Sequence, residues 1–285
     1  MKTEINNRRI IKNAGKRRKK MIAFGWYGGK YSHLDFILPH LPEDAKHFCD
    51  VFGGSAAVLI NRKPALIETY NDIDSELVNF FEVLRDYGEQ LIKAISLTPF
   101  SREELINSLQ YESGLSKLER ARRFYIRARQ TRTGLAQTSS VGRWAHCVLT
   151  SRSGMAGAVS RWLGSVEGLP EIVQRLQRVQ IENAPAIEVI ERYDTEETLF
   201  YLDPPYLHQI RRDSKAYGFE MSDGDHFELS GILNQIKGRA VISGYKSKLY
   251  DELYKDWIRI DAPEKIINSS KGIRQESLWL NFQIK

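Results

Sequence analysis

Apolar positions follow two different rhythms along the chain, and these rhythms predict where strands and helices lie. In the N-terminal part, residues 47–52 and 65–70 are apolar runs of strand length, whereas helical spacing covers residues 56–61 and 75–86. Both apolar runs end at residues that are typical of turns, a glycine pair and an Asn-Asp pair. Two strands joined by a helix predict a parallel βαβ unit with a right-handed crossover.

The pattern changes between residues 91 and 176, where helical spacing predominates and a stretch rich in Gly, Ser and Thr interrupts it at residues 131–160. Strand-like runs then return at residues 179–181, 198–202, 239–243 and 277–284. A helix is expected at residues 225–236. The sequence therefore predicts an α/β domain formed by residues 21–90 and 177–285, with a mainly helical insertion at residues 91–176.

Composition narrows the class of protein. Hydrophobic residues make up 42% and charged residues 27% of the 285 residues, which is typical of a globular chain with a sizeable core. No apolar run approaches the roughly 20 residues that a membrane-spanning helix needs, so we expect no membrane association. Cys49 and Cys147 form no CxxC pair, which favours a reduced, intracellular setting. The basic N-terminus lacks the apolar stretch of a secretory signal peptide.

Basic residues are concentrated in two segments, although the net charge is only +6. Residues 1–20 hold nine Lys or Arg against one Glu, and residues 120–161 hold nine Arg without any Asp, Glu or Lys. Clustered arginines suit bidentate contacts to phosphate or guanine, so nucleic acid is the predicted partner. The alternatives are a flexible, solvated tail at residues 1–20 and a helix face with solvated arginines at residues 120–161. The DNA-binding candidates are Arg123, Arg127, Arg129, Arg132, Arg143, Arg152, Arg211 and Arg212.

The most specific chemical motif follows the predicted strand at residues 198–202, where the sequence continues Asp203-Pro204-Pro205-Tyr206. Two prolines remove backbone donors and force a rigid, extended path. Open α/β sheets bind ligands at the carboxyl ends of their strands, so the Asp203 carboxylate and the Pro204 carbonyl can converge there on the amine of a base. The ring of Tyr206 offers that base a stacking surface. The alternative is a strand-ending turn with a partly buried tyrosine.

A glycine turn follows the first predicted strand, in the segment Asp50-Val51-Phe52-Gly53-Gly54-Ser55. Glycines let a ligand approach the backbone, and the start of the next helix favours a carboxylate or a phosphate. Asp72 follows the second strand at the spacing of an acid that binds ribose hydroxyls. A helix cap is the alternative role for Asp72, and Asp74 or Ser75 could also cap that helix.

Trp26, Tyr27 and Lys30 belong to a second glycine-containing segment, Gly25-Trp26-Tyr27-Gly28-Gly29-Lys30. It is not a phosphate-binding P-loop, because Phe24 and Tyr31 stand where that loop requires a glycine and a Ser or Thr. A lysine among glycines and aromatic side chains suits a ligand that carries both a carboxylate and a cation. A core role for Trp26 is the alternative.

Taken in order, these segments resemble the Dam-like DNA adenine-N6 methyltransferases, the alpha group of amino-methyltransferases. The similarity covers residues 24–35, 47–86, 181–206 and 225–245 and reaches the C-terminal residues 274–282. It implies a Rossmann-like S-adenosylmethionine-dependent methyltransferase sheet, with the insertion in the position of the family's target recognition domain. Ala56 departs from the family pattern, in which many members have another glycine. The arginine-rich segment also departs from it, which leaves the target sequence open.

The resemblance implies S-adenosylmethionine as the methyl donor, S-adenosylhomocysteine as the product, and no metal. Lys30 would contact the cofactor's carboxylate and Asp72 its ribose. The cofactor-binding residues implied are Trp26, Tyr27, Lys30, Asp50, Phe52, Gly53, Gly54, Ser55, Asp72, Asn183 and Asp203. The catalytic residues implied are Asp203, Pro204, Pro205 and Tyr206.

The activity implied is site-specific methylation of the N6 amine of a flipped adenine in double-stranded DNA. Three alternatives remain open at this point: methylation of the exocyclic amine of cytosine, methylation of adenine in RNA, and a catalytically silent DNA-binding module. We expect a monomer or weak dimer in the cytoplasm, associated with the nucleoid and encoded by a bacterium, an archaeon or a phage. A cognate restriction endonuclease is a candidate partner.

Overall fold

The computed structural model describes residues 20–26, 28–132, 136, 138–206, 219–263, 265–267 and 272–283. Within these ranges the strands are β1 (His47–Asp50), β2 (Ile67–Asn71), β3 (Ser151–Arg152), β4 (Met155–Ala156), β5 (Val179–Glu182), β6 (Thr198–Leu202), β7 (Arg239–Tyr245), β8 (Ile258–Asp261), β9 (Lys265–Ile267), β10 (Gly272–Arg274) and β11 (Glu276–Leu280). The α-helices are α1 (Leu34–Ile37), α2 (Ala57–Asn61), α3 (Ser75–Asp86), α4 (Gly88–Ser96), α5 (Arg102–Leu109), α6 (Lys117–Gln130), α7 (Gly157–Val166), α8 (Leu169–Leu176), α9 (Ala186–Tyr193), α10 (Asp223–Leu233) and α11 (Lys248–Leu253). Short 3-10 helices cover Lys30–His33, Leu38–His40 and Val141–Arg143.

The main sheet has seven strands in the order β5-β2-β1-β6-β7-β11-β8. The first five strands in this order are mutually parallel, whereas β11 is antiparallel to both of its neighbours. The chain winds outward from β1 first through β2 and β5, and then in the other direction through β6 and β7. Ligands of open α/β sheets bind where the strand order reverses in this way, which here is the carboxyl ends of β1 and β6.

The predicted βαβ unit is confirmed, since β1 and β2 are parallel neighbours joined by α2. The bounds of α3 and β6 agree with the prediction, whereas α10 begins and ends a few residues earlier than predicted. Sequence reasoning missed α9, α11, β8 and the hairpin of β3 and β4. These elements are short, and an edge strand such as β8, with alternating partial exposure, has no continuous apolar run.

The insertion is helical as predicted, apart from the β3–β4 hairpin, and it packs closely on the α/β domain. One hydrophobic cluster contains Phe24 and Phe80 from the α/β part together with Phe124 and Trp162 from the insertion. In addition, α4 runs across the predicted boundary at residue 90. The domain boundaries therefore stay a prediction, and the two parts share one core.

The described segments contain no helix with the length and apolarity that crossing a membrane would require.

Candidate active site

A cavity of about 410 Å³ opens at the carboxyl ends of β1, β2 and β6, where the strand order reverses. Its wall contains residues from the turn after β1, the residues after β2, the start of α9, the end of β6 and the first half of α10. The volume lies within the range of roughly 300 to 1,000 Å³ that small-molecule sites occupy. The predicted cofactor residues that line it are Trp26, Phe52, Gly54, Ser55, Asp72 and Asp203.

The glycine turn after β1 is shaped by close packing against β2. The backbone N–H of Gly53 donates to the Asn71 carbonyl at 2.8 Å. A Cβ at position 53 would lie 2.1 Å from the ring of Tyr70, so no other residue fits there. Gly54 adopts the left-handed conformation, with φ of +50°, and faces the indole of Trp26. Ala56, which departs from the family pattern, is also left-handed, with φ of 55°.

Asp72 lines the cavity and is held by backbone amides. Its Oδ2 accepts from the Gly54 N–H at 2.9 Å, and its Oδ1 accepts from the Asp74 N–H at 2.9 Å. Burial raises the pKa of Asp72 to about 6, although both amides oppose the rise. The cap of α3 is Asp74, whose side chain accepts from Glu76 and Leu77. The cap, the alternative role for Asp72, therefore belongs to Asp74, and Asp72 faces the cavity, where its contact with the ribose stays a prediction.

Lys30 is directed at the segment from Asp203 to Tyr206. Its Nζ donates to Asp203 Oδ1 at 2.5 Å and to the Tyr206 hydroxyl at 2.5 Å, and only 3% of the residue is exposed. Burial by itself lowers the pKa of Lys30, but Asp203 and Glu276 raise it above its ordinary value. Lys30 Nζ also donates to the Gly28 carbonyl at 3.2 Å, and Gly28 lines the cavity. The contact between Lys30 and the cofactor's carboxylate stays a prediction.

Glu276 completes this cluster and was not a candidate from the sequence. It begins β11 opposite Tyr245 of β7, and its carboxylate lies 3.6 Å from Lys30 Nζ. The Tyr206 hydroxyl donates weakly to both carboxylate oxygens, at 3.3 and 3.4 Å. Because β11 is antiparallel, its first residue lies at the same sheet edge as Asp203. A carboxylate at the start of an otherwise apolar strand was the signal available in the sequence.

The hydrogen bonds of Asp203 leave one carboxylate oxygen for a ligand. Lys30 donates to Oδ1, and the Ser243 hydroxyl of β7 donates to the same oxygen at 3.1 Å. Both donors that the described residues supply to this carboxylate therefore go to Oδ1. Burial raises the pKa of Asp203, and Lys30 and Ser243 act against that rise. Asp203 and Pro205 line the cavity, so Oδ2 is the acceptor available to a ligand.

The cavity is acidic. Asp203 and Asp72 line it together with three further acidic residues that sequence reasoning missed, Glu220, Asp225 and Glu228. In the described part of its wall there is no Lys or Arg. Such a wall attracts a cationic ligand.

Comparison with known protein families identifies the class of enzyme. The profile described as D12 class N6 adenine-specific DNA methyltransferase matches residues 26–271. The chain belongs to this family of adenine methyltransferases. This methyltransferase is also similar to the Type II methyltransferase M1.LlaDCHI of Lactococcus lactis subsp. cremoris, with 28% identity over 278 residues that cover 90% of this chain and 94% of the relative.

Membership confirms several predictions. The protein is an enzyme that methylates adenine N6 in DNA, which decides against the cytosine, RNA and silent-module alternatives. The mainly parallel seven-stranded sheet confirms the Rossmann-like fold class. The family also implies the use of S-adenosylmethionine and DNA as the substrate.

Two further predicted cofactor residues of the methyltransferase lie outside the cavity wall. Asn183 is exposed, donates to the Asp72 carbonyl at 2.8 Å and accepts from Ser75, while the residues just after it reach the cavity. Asp50 is 1% exposed, and its Oδ1 has no hydrogen-bond partner among the described residues. Burial raises the pKa of Asp50 well above its usual value. Asn183 therefore holds the backbone of Asp72 by a hydrogen bond. Asp50 is the last residue of β1 and directly precedes the glycine turn.

The predicted DNA-binding arginines divide into two groups. On α6, Arg123 pairs with Glu119 and Glu112, and Arg127 donates to the Ser108 carbonyl while approaching Glu76. Their side chains are only 11% and 17% exposed. These two arginines hold α6 to neighbouring segments, because acidic residues outside residues 120–161 reach them.

The remaining described arginines lie closer to solvent. Arg132 and Arg152 are exposed, whereas Arg129 and Arg143 are half-buried. Arg152 belongs to the β3–β4 hairpin, on which all four strand residues are exposed. Tyr27, Arg211 and Arg212, together with residues 1–19 of the basic tail, lie outside the described residues. Across the described ranges, no group of three His, Cys, Asp or Glu side chains is arranged to hold a metal ion.

Proposed function

We propose that this methyltransferase binds S-adenosylmethionine in the 410 Å³ cavity and presents a flipped adenine to Asp203 and Pro204 at its edge. The observation that carries the proposal is the Asp203 carboxylate, which lines the cavity while both donors that the described residues supply to it bind Oδ1. An acceptor oxygen directed at the cavity is what an amine nucleophile requires.

The cavity fits the cofactor in charge and in shape. S-adenosylmethionine supplies, when bound, a methyl group on a positively charged sulfonium, and the acidic wall is complementary to that charge. Gly54 lines the cavity, and because it has no side chain the backbone of the turn is open to a ligand there. Asp72 would accept hydrogen bonds from the ribose hydroxyls, and Trp26, Phe52 and Ser55 would enclose the rest.

Asp203 and Pro204 activate the adenine amine as acceptors. The amine is a poor nucleophile because its lone pair is delocalised into the ring. Accepting its two hydrogens at Asp203 Oδ2 and the Pro204 carbonyl orients that lone pair and increases electron density on nitrogen. A carboxylate cannot deprotonate the neutral amine, so the proton leaves only after transfer has made the nitrogen cationic.

Tyr206 has two roles in this proposal. Its hydroxyl accepts from Lys30, and its ring packs against Tyr245 with 4.5 Å between centroids. The residue is 8% exposed, so stacking with a flipped base requires the pocket to open when DNA binds. Pro205, which lines the cavity, would bound the base pocket from the cofactor side.

The finer biological setting is also a proposal. We infer methylation at a specific site in double-stranded DNA, contacts from the exposed Arg132 and Arg152, and action in the cytoplasm, at the nucleoid, of a bacterium, an archaeon or a phage-infected cell. Similarity to a Type II methyltransferase supports a restriction-modification system with a cognate endonuclease. We propose a monomer or weak dimer and no metal cofactor.

The decisive experiment combines methylation with cofactor binding. Wild-type protein and unmethylated double-stranded DNA, incubated with S-adenosylmethionine, should yield N6-methyladenine at one short motif in single-molecule sequencing. Asp203→Asn should reduce the single-turnover rate at least about 100-fold, since it loses the charged acceptor, while the cofactor Kd changes little. Asp251→Asn, which removes only a surface ion pair with Arg259, is the control.

Either of two outcomes would contradict the proposal. Methyl transfer by Asp203→Asn at the rate of the wild type would mean that this carboxylate does not receive the amine. Loss of cofactor binding together with a large fall in melting temperature would mean that Asp203 is structural.

A further inference from the structure

Glu276 is a buried carboxylate to which the mechanism above assigns no role. Only 2% of the residue is exposed, although it lies at the sheet edge where the cavity opens. It begins a strand whose other residues form a continuous buried run from Ser277 to Leu280. Burying a carboxylate is costly unless it is paired, so its surroundings should show what it does.

The contacts of Glu276 all lead to the catalytic tetrapeptide. Its carboxylate lies 3.6 Å from Lys30 Nζ and accepts from the Tyr206 hydroxyl. Tyr206 in turn accepts from Lys30 at 2.5 Å, and Lys30 donates to Asp203 Oδ1. The four side chains form one network, and Asp203 is its member that lines the cavity.

The direction of each hydrogen bond in this network, from donor to acceptor, follows from the chemistry of the groups. A tyrosine hydroxyl that accepts from an ammonium must donate its own hydrogen elsewhere. The acceptor that the described residues offer to Tyr206 is the Glu276 carboxylate. If Glu276 were neutral, it could donate to the hydroxyl, and Lys30 would lose both a directed acceptor and a second negative charge.

We propose that Glu276 is a positioning residue for methyl transfer: through Tyr206 and Lys30 it keeps the protein's donors on Asp203 Oδ1, so that Oδ2 stays available to the adenine amine. The inference rests on the proposed role of Asp203. Glu276 itself touches neither the cavity nor, in this proposal, the substrate.

The network is expected to depend on pH. Burial raises the pKa of Glu276 to about 7, with Lys30 opposing and Asp203 adding to the rise. The ionised form that positions Lys30 is therefore lost as the pH falls through about 7. The titratable side chains around Glu276 in the described structure are Lys30, Tyr201, Asp203, Tyr206, Tyr245 and Tyr250. Asp261 of the neighbouring β8 is held by Ser277.

Glu276→Gln tests the proposal, because it keeps the shape and removes the charge. The single-turnover methylation rate of the variant at pH 8 should fall about 10- to 100-fold, and the cofactor Kd, measured by isothermal titration calorimetry, should stay within about twofold. The wild-type rate should fall as the pH drops through about 7, and this inflection should be missing from the variant.

Two companion variants keep the test decisive. Tyr206→Phe removes the hydroxyl and keeps the ring, so it should also lose the inflection, even if Glu276→Gln fails to fold. Glu68→Gln removes a buried carboxylate that pairs with Arg175 and does not belong to the network of Glu276. It should lower the melting temperature and keep the inflection in the pH dependence of the rate.

An unchanged rate at pH 8 in Glu276→Gln would overturn the proposal. So would a lower rate with the inflection retained, because that result would assign the titration to Asp203 and leave Glu276 a structural role. Failure of the proposed site is a separate outcome, since it shows in Asp203→Asn, which would then transfer methyl groups at the wild-type rate.

Discussion

Lys30 shows how far a single residue could be predicted. A lysine between glycines and aromatic side chains was expected to bind a carboxylate, and it does, but the carboxylate belongs to Asp203 of the protein. The sequence separation between the two is 173 residues. Which of several carboxylates meets a buried ammonium depends on where β6 and the N-terminal segment come together, and local spacing does not encode that.

Asp72 gives a residue-scale prediction for cofactor binding. Because burial raises its pKa to about 6, Asp72 loses its charge as the pH falls below that value. The Kd for S-adenosylmethionine, measured by isothermal titration calorimetry, should therefore weaken by about tenfold between pH 7 and pH 5, since an ionised acceptor binds more strongly than a neutral one. Asp72→Asn should bind weakly and show little dependence on pH.

Asp74→Asn is the matched control for Asp72. Asn caps a helix about as well as Asp, and Asp74 does not line the cavity, so the Kd at pH 7 should match the wild type. Because the charge of Asp74 adds to the rise in the pKa of Asp72, the loss of affinity should persist in this variant and begin at a lower pH. Equal pH dependence in Asp72→Asn and the wild type would show that another group controls cofactor binding.

At the scale of an element, the ion pairs of helix α6 differ from what its local sequence predicts. Nine arginines without an acid within residues 120–161 predicted a nucleic-acid surface. In the structure, Arg122 pairs with Glu119 and Glu104, and Arg120 pairs with Glu76 of α3. Glu119 belongs to α6 itself and lies one residue before the counted window, whereas the packing of α3 and α5 against α6 brings Glu76 and Glu104 to the arginines. A local count of charge therefore overestimated the free positive charge of α6.

Salt dependence of DNA binding separates the two groups of arginines. Arg152→Ala, on the exposed hairpin, should reduce the slope of log K against log salt concentration by about 1, the contribution of roughly one phosphate contact. Arg122→Ala should keep the slope and lower the melting temperature, because its partners are Glu119 and Glu104. A slope that changes only in Arg122→Ala would place the DNA on α6 and contradict the assignment.

At the scale of the whole molecule, the insertion and the α/β domain are joined by packing and by a buried ion pair. Phe24 packs against Phe80 and Phe124, with ring centroids 5.3 and 5.4 Å apart. Arg175, at the end of α8, donates to both carboxylate oxygens of Glu68 on β2. The insertion is thus fixed to the sheet whose edge carries the cavity.

The variant Glu68→Gln should show how much the buried ion pair between Arg175 and Glu68 contributes to the free energy of unfolding. It leaves the Arg175 charge buried without its partner, so the free energy of unfolding should fall by about 3 kcal/mol in urea denaturation followed by circular dichroism. Methylation at 20 °C by the folded variant should be unchanged. Glu43→Gln, which breaks an exposed pair with Lys63, should leave the urea midpoint where it was. Equal midpoints in both variants would mean that the buried pair adds no stability.

The sequence by itself determined the fold class, the positions of the principal strands along the chain, and the two motifs that follow them. The spacing of apolar residues, the turn residues and the tetrapeptide Asp203 to Tyr206 can be recognised from the sequence because each is encoded within a few neighbouring residues. Tertiary structure alone decided the partner of Lys30, the entry of Glu276 and Ser243 into the site, and the pairing of α6 arginines with Glu76 and Glu104. Each of these depends on side chains distant in sequence that meet only when β7 and β11 pair and the helices pack.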